Sequence, residues 1–89
     1  MKESIIDNTK NVCVRFFGVL EEYVGKSPIE IPLNAGKTLS ELLADLEKQY
    51  PRIFKTHILV ALNQELSTDK HIALSAGDEI ALMPPFTGG

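Results

Sequence analysis

The stretch Thr38-Leu39-Ser40-Glu41-Leu42-Leu43-Ala44-Asp45-Leu46-Glu47-Lys48-Gln49-Tyr50-Pro51 decides the fold. Thr38 with Glu41 three residues later is a capping box, in which a hydroxyl and a carboxylate take backbone N–H groups that a helix start leaves without partners. Leu39, Leu42, Leu43, Leu46 and Tyr50 recur on one helical face, while Glu41, Asp45, Glu47 and Lys48 occupy the other. Pro51 stops the helix because its ring clashes with the preceding turn. A helix with a single apolar stripe must bury it against another layer, so the segments on either side supply that layer.

They read as strands. Upstream, Val12, Val14 and Phe16 alternate with Cys13, Arg15 and Phe17, the period of a strand with one buried face. Val19, Leu20, Tyr23 and Val24 then keep helical spacing until Gly25, which supplies the positive φ that ends a short helix. Ile29, Ile31 and Leu33 alternate with Glu30 and Pro32, and a proline that cannot donate to a ladder puts this second strand at or near an edge. Asn34-Ala35-Gly36 is the turn into the main helix. Downstream, Ile58 to Leu62 is a short apolar run followed by the turn candidates Asn63-Gln64, which predicts a buried third strand and a hairpin or tight bend, with Leu66 on the returning segment. After the turn Ser75-Ala76-Gly77-Asp78, Ile80 and Leu82 alternate with Glu79, Ala81 and Met83 as the last strand. The expectation is an α+β domain: a mixed four- to five-stranded sheet with one main helix packed across one face. On this reading Leu43→Ala costs about 2 to 5 kcal/mol.

Composition narrows what such a domain does. The chain has 89 residues, which suits one domain over residues 11–89 and leaves no room for an elaborate cleft, while Met1 to Lys10 read as a flexible leader. Nine Lys and Arg against twelve Asp and Glu give a net charge of -3, without the basic footprint that a nucleic-acid backbone demands. A single Cys excludes an internal disulfide, and His57 and His71 stand too far apart in sequence to suggest a metal site. The longest unbroken apolar run, Ile58 to Leu62, falls far short of the roughly 20 residues of a membrane helix. Without a signal-peptide stretch, the reading is a cytoplasmic protein with neither nucleic acid nor membrane as partner.

The usual catalytic constellations are missing. Cys13, mid-strand among apolar neighbours, reads as a small buried hydrophobe, and Glu21-Glu22 as a solvated helix face. Gly18, Gly25, Gly36 and Gly77 are spaced as separate turn and cap residues rather than as a phosphate loop. What stands out is the end of the chain, Pro84-Pro85-Phe86-Thr87-Gly88-Gly89. Two prolines fix φ and favour an extended path off the last strand, and two glycines offer a backbone thin enough for a narrow slot with an unhindered acyl carbon. An α-carboxyl with a pKa of about 3.3 to 3.7 is ionised at neutral pH and can attack the α-phosphorus of ATP that a partner holds. A second feature lies nearby. By strand parity Phe17 and Met83 emerge on the face opposite the helix, where Leu66 joins them in an apolar patch at the root of the tail, with Phe86 as a further anchor. The competing readings are a frayed tail and ordinary edge packing.

From Val12 to Gly89 the chain resembles the sulfur-carrying small subunits of molybdopterin synthase, the MoaD family of ubiquitin-like β-grasp proteins. The matching marks are Val14-Arg15-Phe16-Phe17, Glu22-Tyr23-Val24-Gly25, Val60-Ala61-Leu62-Asn63-Gln64, Gly77-Asp78-Glu79-Ile80 and the Pro84 to Gly89 tail. Thiazole-pathway carriers share the Gly-Gly end and the Gly-Asp turn, but generally lack the Phe-Phe strand and the Pro-Pro lead-in. Where members often carry Arg-Glu in the first helix this chain has Glu21-Glu22, so no partner contact is carried over onto Glu21. The resemblance implies that an E1-like adenylyltransferase uses ATP and magnesium to adenylate Gly89, and that a sulfur donor protein converts it to a thiocarboxylate. The tail then enters a large subunit and gives its sulfur to cyclic pyranopterin monophosphate, forming the dithiolene of molybdopterin in a heterotetramer. The resemblance further implies that the chain itself binds no cofactor and is not an enzyme alone, because the partner provides the catalytic groups. Another sulfur-carrier pathway (thiazole or tRNA thiolation), a ubiquitin-like protein modifier and a plain binding module are the alternatives.

Overall fold

A computed structural model describes residues 10–34, 36–55 and 57–85. Strand β1 (Asn11–Phe16) leads into helix α1 (Val19–Val24), then β2 (Ile29–Pro32) and the main helix α2 (Leu39–Gln49). A 3-10 turn (Pro51–Lys55) follows, and then β3 (Leu59–Leu62), β4 (Glu65–Leu66) and β5 (Glu79–Met83). The five strands form one sheet in the order β2-β1-β5-β3-β4, in which β1 and β5 run parallel at the centre and the other pairs are antiparallel. The expected mixed sheet with one dominant helix across it is therefore present, with the edge strand β4 only two residues long.

Register explains the core. Val14 stands opposite Ile80 and Phe16 opposite Leu82, while Leu82 also opposes Val60, so these side chains share the face that α2 covers. Leu39, Leu42 and Leu46 of α2 press onto them, and Leu20, Ile53 and Leu74 close the ends. Leu43 is only partly buried, because it lies at the margin of the α2 stripe; the full core cost expected for Leu43→Ala belongs to Leu42 instead. Pro51 does end α2, yet the chain continues as a 3-10 turn that the sequence reading left out, and this turn puts Ile53 into the core.

The local signals act as expected. Thr38 Oγ1 accepts the Glu41 N–H at 3.2 Å, and Glu41 returns the bond by accepting the Thr38 N–H at 2.9 Å. The next two N–H groups, of Leu39 and Ser40, donate to the carbonyls of Ile72 and Lys70, so the helix start is fully partnered and strapped to the segment before β5. Gly25, at φ 91°, closes α1 with its N–H on the Glu21 carbonyl at 2.8 Å. At the β2 edge the Leu33 N–H donates to Lys10 on the β1 side, so by the two-residue period Pro32 takes an outward position. A proline there offers no donor to a foreign strand, and the edge is blunted. Residues 1–9 of the proposed leader lie outside the described residues.

Candidate functional site

The sheet face away from α2 carries the side chains of opposite parity. On β1 these are Cys13 and Arg15, continued by Phe17; on β5 they are Glu79, Ala81 and Met83; on β3 and β4 they are Leu59, Ala61 and Leu66. Cys13 is half-buried on this face rather than in the core, since it alternates with Val12 and Val14. The Phe17 N–H donates to the Leu82 carbonyl at 3.1 Å, which carries the parallel pairing one residue past β1 and brings Phe17 beside Met83. Met83 opposes Leu59; Ala81 opposes Ala61, which in turn opposes Leu66. Two alanines thus form a low floor between Leu66 on one side and Phe17 with Met83 on the other. Phe17 is 46% exposed and Leu66 68%, the highest value among the exposed large apolar residues described.

The structure brings Phe17 and Met83 onto one face, as strand parity predicts, with Leu66 beside them after the Asn63-Gln64 turn, and adds neighbours that sequence reasoning missed. Arg15 Nε donates to Glu79 across the β1–β5 pair, and this bond with its opposite charge holds the guanidinium pKa above its ordinary value. Arg15, Phe17, Gln64, Glu79 and Ala81 line a shallow depression of about 320 Å³. The alanine floor and the ion pair were hidden because nothing in the sequence states that β1 and β5 are parallel neighbours; small residues at Ala61 and Ala81 were the available hint. A larger groove of about 460 Å³, bordered by Leu43, Phe54, His57 and Lys70, lies on the α2 side and does not touch this patch.

The patch ends where the tail begins. Gly18 adopts φ 60° and ψ -139°, a conformation that disfavours any side chain, and a Cβ there would stand 3.2 Å from Cγ of Pro84. Gly18 therefore seats the first proline of the tail against the start of α1. Pro84 and Pro85 are half-buried. Phe86, Thr87, Gly88 and Gly89 lie outside the described residues. Glu21 and Glu22 are exposed on α1, and His57 and His71 are exposed and separate. Among the described residues no group of three His, Cys, Asp or Glu is placed to hold a metal ion. No helix among them is long and apolar enough to cross a membrane.

Comparison with known proteins gives the same fold and a family. Residues 14–89 match the model of the ThiS family. The chain is 38% identical over 80 residues to the molybdopterin synthase sulfur carrier subunit of Dictyostelium discoideum, an alignment spanning 85% of this chain and 93% of that protein. Among solved structures it is similar to SAMP1 from Haloferax volcanii, with a TM-score of 0.75 and 29% identity over 89% of this chain and 99% of that one. It also resembles a chain in the complex of subunits 1 and 2 of the molybdopterin-converting factor from Helicobacter pylori, with a TM-score of 0.66 and 32% identity over 89% of this chain and 99% of that one.

Proposed function

The chain belongs to the ThiS family, whose members include MoaD-type ubiquitin-like sulfur carriers, and from that premise we propose that it is the sulfur-carrier subunit of a cytoplasmic molybdopterin synthase. The observation that carries this reading is the apolar patch of exposed Phe17 and Leu66 with half-buried Met83, set at the root of the Pro84-Pro85 lead-in. A large subunit covers the open sheet face, Phe86 adds an anchor, and Thr87, Gly88 and Gly89 enter its active site. The relative from Helicobacter pylori, whose solved complex holds subunits 1 and 2, supports that pairing.

The chemistry belongs to the terminus. A carboxylate oxygen of Gly89 attacks the α-phosphorus of ATP on an E1-like enzyme, and pyrophosphate leaves. The terminal sulfur of a donor protein's persulfide attacks the acyl carbon and AMP leaves; a second thiol then attacks the inner sulfur of the resulting acyl disulfide, ending as a disulfide with the donor and freeing the thiocarboxylate. That sulfur is then transferred to cyclic pyranopterin monophosphate with acid and base groups from the large subunit, and water restores the carboxylate. Narrow glycines keep the acyl carbon open to each nucleophile in turn. Incubating the protein with its activating enzyme, magnesium, ATP and a sulfur source tests this: intact mass should show the exchange of oxygen for sulfur at Gly89. No such change, with the activating enzyme active on another carrier, sinks the reading.

The similarity to SAMP1, the Haloferax protein elsewhere called a small archaeal modifier protein, favours one second reading, in which a lysine amine captures the activated Gly89. Peptide mapping of cell extracts for Gly89 linked to lysine separates the two outcomes.

A further inference from the structure

Two motifs from different parts of the chain, Asn63-Gln64 and Gly77-Asp78-Glu79, meet at one end of the sheet. Asn63 Nδ2 donates to Asp78 Oδ1 at 3.0 Å, and Asn63 Oδ1 accepts the Glu79 N–H at 2.9 Å. The other oxygen of Asp78 accepts the Ser75 N–H at 2.7 Å, and the Asn63 N–H itself donates to the Glu79 carbonyl at 2.7 Å. Each polar atom of the Asn63 side chain thus has its partner, and the turn is tied to the start of β5. Asn63 and Gln64 both have positive φ, 52° and 73°, the geometry of a two-residue hairpin turn that hands the chain directly into β4.

The strand after that turn is otherwise held by its short ladder to β3, continued by the Ser67 N–H on the Val60 carbonyl at 2.9 Å. β4 is two residues long at the sheet edge, and Leu66 is 68% exposed, so its own burial contributes almost nothing to its placement. Leu66 is nevertheless the part of the apolar patch that lies farthest from Phe17 and Met83 across the sheet. Glu79, whose backbone is clamped by Asn63, also bonds Arg15 on the β1 side of the patch, and Gln64 lines the same depression as Arg15 and Phe17. We propose that Asn63 and Asp78 are positioning residues for partner docking, holding Leu66 in register with Phe17 and Met83 on the face that the large subunit covers. This rests on the docking reading above. A fixed anchor costs less ordering when the partner arrives than a loose edge would.

The bond pattern offers its own test, because the two residues can exchange chemistry. Binding of the full chain to a purified molybdopterin synthase large subunit is measured by calorimetry well below the melting transition. Asn63→Asp sets two carboxylates against each other and should weaken binding about tenfold or more while the folded spectrum is kept. In Asn63→Asp/Asp78→Asn the new carboxylate accepts the Glu79 N–H and the new amide donates to it, while that amide's oxygen keeps the Ser75 N–H. Affinity should return to within about twofold of the parent. On a Leu66→Ala background Asn63→Asp should have no further effect on affinity, a coupling that a general loss of stability would not produce. Unchanged affinity for Asn63→Asp, no recovery in the exchanged pair, or a full effect without Leu66 would each overturn the proposal. If Asn63→Asp does not fold, Asp78→Asn and the exchanged pair carry the same comparison. Phe17→Asp is the control: if it leaves affinity unchanged, the docking reading itself fails, whereas a loss there with none for Asn63→Asp fails only the clamp.

Discussion

One sheet presents two faces made by alternate residues of the same strands, and they differ in kind. Under α2, Val12, Val14, Phe16, Val60, Ile80 and Leu82 are large, apolar and no more than 5% exposed. On the other side stand Cys13, Arg15, Glu79, the alanines of the floor, and the larger apolar side chains Phe17, Leu59, Leu66 and Met83, of which Phe17 is 46% exposed. The first face is permanently covered by its own chain. The second is polar enough at the Arg15–Glu79 pair to tolerate water, yet carries the spaced anchors that a removable partner needs. The two faces divide the work: stability on one side and exposed, exchangeable contacts on the other.

The comparison breaks first at the core. Leu42→Ala should cost about 2 to 5 kcal/mol in denaturant titration, because the side chain is fully buried and the cavity cannot refill, whereas Leu43→Ala at the margin should cost less than half as much. Equal costs would mean that α2 sits rotated on the sheet. On the open face the effect should move from stability to binding. Phe17→Asp should lower affinity for the large subunit about 30-fold or more, the equivalent of about 2 kcal/mol, with unfolding changed by no more than about 0.5 kcal/mol. A large loss of stability there would make the open face part of the core.

A smaller effect sharpens the division from the helix side. Thr38→Ala removes the hydroxyl that accepts the Glu41 N–H and should lower stability by about 1 kcal/mol, leaving partner affinity unchanged. The smallest concerns acid. The hydrogen bond from Lys37 holds the Asp45 carboxyl below its ordinary value, so this exposed contact stabilises the fold at neutral pH and is lost as the pH falls through the carboxylate range. Asp45→Asn should therefore remove a slight part of the acid-side decline in melting temperature and leave the neutral-to-basic limb parallel to the parent.

Much of this was legible in order along the chain. The capping box, the leucine stripe, the Gly25 stop and the alternation in β1 and β5 are local signals, set by hydrogen bonding and side-chain period within a few residues, and each appears where the sequence put it. Parity alone placed Phe17 and Met83 away from the helix. The continuation after Pro51 was not legible, since a 3-10 turn has too short a period to mark itself, and only the pull of Ile53 into the core reveals it. Cys13 was misread because apolar neighbours in sequence lie on both faces of a strand.

By itself, then, the sequence determined the main helix and the principal strands, the face each strand turns to its helix, and the glycine tail whose carboxylate is the proposed reagent. Only the tertiary structure decided which strands are neighbours: the parallel β1–β5 pair that joins Arg15 to Glu79, the alanine floor, the Gly18 seat for Pro84, and the clamp from Asn63 to Asp78. The reason is range. Periodicity and capping act over a few residues, whereas strand partners are chosen by burying the whole apolar set at once, and that choice is written in no single segment.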